Sequence, residues 1–223
     1  GLDFFFAQYL QLVLGLEPLA ASIRLVPLAA ATVVGGLIAA PILARVGTRV
    51  SIAGGLLVSG LALVPLLSLG LQDEPLILSS SFVALGLGIQ AAAVAANDVI
   101  VSAVTPDRAG DAAAIEETAY ELGGGLGIAV LGSLLVAVAS DALGDVPGVP
   151  AAGMVQAREG LSEAREIAAG LPDTVGAALT EAARLAFLDG LHVTVAVSVG
   201  LMLGATAVAA AVLQHRAPAA AEH

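Results

Sequence analysis

Apolar positions in this chain come as long unbroken blocks, not as stripes. PLAAATVVGGLIAAPILA (27–44), SIAGGLLVSGLALVPLLSLGL (51–71), PLILSSSFVALGLGIQAAAVAA (75–96) and LHVTVAVSVGLMLGATAVAAAVL (191–213) carry no charged side chain. A helix crossing a hydrocarbon core takes about 20 apolar residues, and Gly and Pro are common in such helices. The blocks therefore predict an all-α, polytopic membrane protein. The polar interruptions divide the chain into a truncated span at 1–16, further spans at about 25–44, 51–71 and 75–104, a fifth from near Ala112 to before Asp141, and a sixth at 191–213.

Between the last two spans, residues 141–190 form a predicted extracytoplasmic segment. MVQAREGLSEAREIAAGL (154–171) has helix-forming composition, and PDT starts a second helix with Asp173 or Thr174 as cap. Val175, Leu179, Ala182, Ala183 and Ala186 recur at helical spacing. A hairpin of two amphipathic helices is expected there. The opening GLDFFFAQYL reads as a helix already under way, so the chain is expected to be the later part of a longer polypeptide.

Charge assigns the sides. Arg45 and Arg49, then Arg108, then Arg216 fall on alternate turns, while Glu17 and Asp73–Glu74 occupy the opposite turns. Positive short loops mark the cytoplasm, which places the C-terminus, with a 217–223 tail, inside. Arg24 is the exception. Cysteine and lysine are both absent and the formal net charge is −11; this argues against disulfides, thiol chemistry and a nucleic-acid partner. With His192, His215 and His223 the only histidines, no catalytic or metal constellation emerges. No enzyme activity, metal or cofactor is expected.

One stretch breaks the apolar pattern with acids: AAAIEETAYELGGGLG (112–127) holds Glu116, Glu117 and Glu121. On a helix Glu117 and Glu121 share a face, which Gly124, Gly125, Ile128 and Gly132 continue. Glu116 points about 100° away, with Tyr120 within its i,i+4 reach. Two readings stand. LGGGLGIAVLGSLLVAVA (122–139) is nearly long enough to span alone, which would leave the acids solvated. Alternatively Glu121, roughly 20 Å along the axis from a turn at Thr105–Pro106, lies within the membrane. An acid in low dielectric favours its neutral form, and an arriving cation favours the charged one. That is the chemistry of a proton-coupled cation exporter.

Polar and aromatic residues of the first span, Phe5, Gln8, Tyr9 and Gln11, are candidate lining groups. Gln90 sits mid-span in the fourth. Asn97 and Asp98 near its cytoplasmic end fit a gate or helix-end network better than a substrate contact. For His192 the expectation is interfacial anchoring.

The order QYLQLVLGLEPLAASIRLVPLA (8–29), RVGTR (45–49) and TPDRAGDAAAIEETAYELGGGLGIAVLGSL (105–134) resembles the fourteen-helix drug:proton antiporters of the major facilitator superfamily. Within them it looks most like the QacA and LfrA type of multidrug efflux pump. The resemblance covers nearly the whole chain as family helices nine to fourteen. It implies a major facilitator fold in which residues 1–140 supply helices nine to thirteen of a six-helix C-terminal bundle and residues 191–216 supply helix fourteen. It further implies a bacterial inner-membrane location, an N-terminal half of the same transporter as partner, and exchange of protons for lipophilic cations such as quaternary ammonium compounds and ethidium.

The acids of helix thirteen take part in proton coupling and cation recognition in that family. Glu121 is the first choice here for the proton carrier and Glu117 for recognising the cation, with Glu116 and Tyr120 beside them. The family also has an acid in helix ten, for which residues 27–44 offer no counterpart. Arg45, Gly47 and Arg49 match its cytoplasmic loop motif, with Ala44 in place of the motif's Asp. Two alternatives are an exporter of lipids or other non-cationic molecules and a non-transporting scaffold subunit.

Overall fold

The computed structural model describes residues 2–213, and every regular element among them is helical. Helix α1 (Leu2–Gln8) passes into a π-helical turn, Tyr9–Val13; α2 is Pro18–Val46; α3 is Thr48–Leu63, tightening into a 3-10 turn at Val64–Ser68. Helix α4 is Pro75–Ser102, followed by the 3-10 turn Pro106–Arg108 and then α5, Ala109–Ala142. Two short helices, α6 (Ala151–Ala157) and α7 (Leu161–Ala169), precede α8, Asp173–Val212.

The boundaries follow local chemistry. Pro18 and Pro75 stand at the first positions of α2 and α4, where the missing N–H costs nothing. Gly47 separates α2 from α3 with φ 80° and ψ 166°, a conformation essentially reserved for glycine. Its N–H still closes α2 on the Leu43 carbonyl at 2.9 Å, and its carbonyl accepts from Ser51 N–H at 3.1 Å.

Five helical stretches are long and apolar enough to cross a membrane: Pro18–Val46, Thr48–Ser68, Pro75–Ser102, Ala109–Ala142 and Asp173–Val212. The first span, expected to be truncated, is shorter. With its π-helical turn α1 ends at Val13, and a dozen helical residues reach only about 18 Å. The expected outer hairpin also differs. Its first arm is two short helices that break at Arg158–Gly160, and its second is no separate element, because α8 runs unbroken through Gly190 for 40 residues. Gly190 is a contact point within that helix: a Cβ there would lie 2.5 Å from the Leu135 carbonyl oxygen of α5. The tail 217–223, with His215 and Arg216, lies outside the described residues.

The chain divides into two compact units. The first comprises the chain up to Leu25, Pro65–Ile77 and Tyr120–Val197. Its core includes Phe6, Leu10, Leu66, Leu179, Leu191 and Val195, all buried. Arg24, the exception to the charge rule, pairs with Asp73. Here too the end of α3 is closed by side chains from distant helices. The Tyr9 hydroxyl donates to the Gly70 carbonyl at 2.8 Å, and His192 Nε2 lies 2.8 Å from the Leu69 carbonyl. Helix ends leave carbonyls without intrahelical partners, and a bilayer offers no water to replace them. His192 therefore meets a carbonyl just beyond the end of α3. Arg158 does the same beyond α5, its Nε donating to the Leu143 carbonyl at 3.2 Å while Nη2 meets Asp145 at 3.0 Å.

The second unit comprises Val26–Val64, Leu78–Ala119 and the described residues from Ser198 to Leu213. It is held by glycine crossings. A Cβ on Gly88 would fall 2.7 Å from the Gly55 carbonyl oxygen and 2.6 Å from Ser59 Oγ, so α3 and α4 meet backbone to backbone. At Gly86 a Cβ would reach 2.9 Å from the Leu28 carbonyl oxygen, the corresponding approach of α4 to α2. Small residues of this kind let membrane helices gain packing that the hydrophobic effect does not supply in lipid.

Candidate functional site

The three glutamates lie on one uninterrupted helix, α5, whose 34 residues extend about 51 Å. Glu121 is twelve residues from the helix start and 21 from its end, roughly 18 Å and 32 Å along the axis. Glu117 and Glu121 are exposed and Glu116 is half-buried. None of the three has an ion-pair or hydrogen-bond partner among the described residues.

Helical phase sorts α5 into two faces. Within about 40° of Glu121 lie Glu117, Gly125, Ile128, Gly132 and Leu135, with Gly124 just beyond. On the far side are Ile115, Leu122, Leu126 and Val130, all large, apolar and exposed. Further along α5 the glutamate face is packed: Leu135 is buried, and the Phe5 ring stands 3.3 Å from where a Gly132 Cβ would be. Toward the helix start the same face becomes acids and glycines and loses its cover. Of its glycines, Gly124 and Gly125 have no atom of the described residues within 4 Å of an added Cβ. Among the described residues, nothing covers these two glycines.

The first-helix candidates do not converge on these acids. Phe5 is 3% exposed, and its Gly132 contact lies about 16 Å along α5 from Glu121. Tyr9 is 1% exposed, with its hydroxyl committed to Gly70. Gln8 borders a small cavity of about 50 Å³ with Leu135, Val136, Ala139 and Arg158, far below the roughly 300 Å³ of a drug-sized pocket. Gln11 is half-buried. Tyr120 is 74% exposed beside Glu121. Arg45 and Arg49 are exposed on either side of the Gly47 turn.

Sequence reasoning missed the cap contacts of Tyr9 and Arg158, because neither has a local signature. It also passed over the α3–α4 glycines, whose spacing appears only when both helices are set side by side.

Residues 1–153 match the Major Facilitator Superfamily. The chain belongs to that superfamily. It is 34% identical to the multidrug efflux pump LfrA of Mycolicibacterium smegmatis over 209 residues, 93% of this chain and 41% of the relative. It is 34% identical to the methyl viologen resistance protein SmvA of Salmonella typhimurium over 203 residues, 91% of this chain and 41% of that protein. The tetracenomycin C resistance and export protein of Streptomyces glaucescens is 31% identical over 214 residues, 92% of the chain and 40% of the relative. The chain thus spans about two-fifths of the length of these relatives. Superfamily membership and five apolar helices of spanning length make it part of a multi-pass membrane protein.

Proposed function

We propose that this chain is the C-terminal six-helix half of a bacterial inner-membrane pump that exchanges lipophilic cationic drugs for protons. The observation that carries this reading is the α5 face: a packed helix surface that turns, along its own axis, into two acids and the glycines Gly124 and Gly125, which no described residue covers. Resistance and efflux names among the relatives support the transport class. Bulky apolar residues opposite the acids suit lipid; small residues beside them suit a second helix bundle.

On this reading the N-terminal half closes against the acid–glycine face and takes the carboxylates out of water. Glu121 then holds a proton until an organic cation displaces it, and Glu117 contributes a second negative charge to that cation. Protonation and cation binding compete for the same groups, so neither ligand is carried in the direction of the other. Rocking of the two halves exposes the acids to each side in turn, with the C-terminus in the cytoplasm.

Proton-driven ethidium efflux by the intact transporter in vesicles tests this. Glu121→Gln at matched protein level should lower efflux by roughly tenfold or more, whereas Glu121→Asp retains pH-dependent transport. Unchanged efflux and pH dependence in Glu121→Gln would remove Glu121 from the coupling site. Transport of neutral substrates alone would favour an exporter of non-cationic molecules.

A further inference from the structure

The glutamate face of α5 changes in layers along its length. Ala139 lies 18 residues beyond Glu121, five full turns, so it shares that face about 27 Å nearer the helix end. Between them the Phe5 ring stands against Gly132, and Leu135 is buried about one turn further on. At Ala139 the packing opens again. The cavity of about 50 Å³ lies there, inside the first unit. Leu135 and Ala139 of α5 and Ala183 and Phe187 of α8 form its apolar walls, and Gln8 and Arg158 border it with polar side chains.

Volume and polar groups together point to an occupant. A water takes roughly 10–15 Å³ of such space and two to four polar partners, so the cavity has room for about three waters. Cavities with wholly apolar walls stay dry, and this one departs from that at two places. Gln8 is half-buried, and its carboxamide has no hydrogen bond among the described residues. Arg158 gives Nε to the Leu143 carbonyl and Nη2 to Asp145, which leaves further donors among the five N–H groups of a guanidinium. Its positive charge repels metal ions, and Asp145 already balances that charge, so no anion is called for.

We propose that Gln8 and Arg158 hold a small water cluster at the far end of the glutamate face, and that Phe5 against Gly132 seals this water from the acids. Water then reaches along the face from Arg158 as far as Leu135 and stops at a ring that is 3% exposed. Gln8 serves as a water ligand, not as a substrate contact. The seal matters because the acids carry protons, so that half of the proposal rests on the reading above. The water site does not.

Radiolytic hydroxyl labelling of the intact transporter in lipid nanodiscs reads the water site, since it oxidises apolar side chains where water stands beside them. Leu135, on the cavity, should be labelled, whereas the fully buried Leu191, away from it, should not. Gln8→Leu should bring Leu135 labelling down to the Leu191 level. The seal is read as passive proton leak in proteoliposomes without drug. Phe5→Ala should raise the leak about tenfold, the factor for a barrier lowered by about 1.4 kcal/mol. Phe5→Leu, which keeps an apolar side chain in place, should not raise it, and adding Gln8→Leu to Phe5→Ala should return it to the wild-type rate. Leu135 labelled no more than Leu191 overturns the proposal, as does labelling that is unchanged in a folded Gln8→Leu protein. A wild-type leak in folded Phe5→Ala overturns the seal. Neither readout uses a drug or Glu121, so the Glu121→Gln efflux test can fail while the labelling result stands.

Discussion

At the scale of single residues, the chain turns on groups whose partners lie far away in sequence and on a few that are settled locally. Asp107 is a local case. In the turn between α4 and α5 its carboxyl is held below the ordinary aspartate range, first by the Thr105 hydroxyl and then by its own backbone N–H. A lowered value means that the folded state binds this proton less readily than the unfolded chain. The turn therefore gains stability above the unfolded-state value near 3.9 and loses it as pH falls through the folded value. Thr105→Val should move the Asp107 midpoint upward, toward the unfolded value, in a carboxyl NMR titration. An unmoved midpoint would show that the hydroxyl is not the cause. Arg24 illustrates the distant case, since its place on the acidic side makes sense only once Asp73 is beside it.

Whole helices are positioned by where backbone meets backbone. The Gly55–Gly88 crossing leaves no space for a methyl group, whereas the neighbouring Gly54 has nothing within 4 Å. Gly88→Ala should therefore destabilise the protein by about 1–3 kcal/mol through forced separation of α3 from α4. Gly54→Ala should stay within about 0.5 kcal/mol of wild type. Thermal unfolding of both variants in detergent checks the contrast, and equal shifts would mean that the crossing is not close-packed. Helix α8 shows a similar contact. The sequence pattern divides an amphipathic segment from an apolar one near residue 190, but the backbone continues through it, with Gly190 in close contact with α5. A change in residue character marks a change of surroundings, and a helix can pass through it.

At the scale of the molecule, α5 exposes its acid–glycine face and its leucine face alike in this chain. The proposed N-terminal half and the lipid would divide them. In the intact transporter a spin label at Leu126, about 140° around the helix from Glu121, should show high accessibility to oxygen dissolved in lipid. One at Gly124, on the glutamate side, should show low accessibility. Equally high values at both would place lipid around the whole helix and leave the acids without a partner bundle.

How much was legible in advance differs by kind. Fold class, the third, fourth and fifth spans to within about three residues, and the helical run that carries Glu116, Glu117 and Glu121 all followed from block length and local turn signals. These are decided by short stretches of chain: apolar blocks must leave water, and proline, glycine and acids stop or start helices where they stand. That α1 stops at Val13, that Phe5 and Tyr9 are packing and capping groups, and that Gln90 packs on Gly35 and Gly36 of α2 were decided only by tertiary structure. Each depends on which helix lies beside which, and a helix presents the same periodic face to any neighbour until the chain has folded.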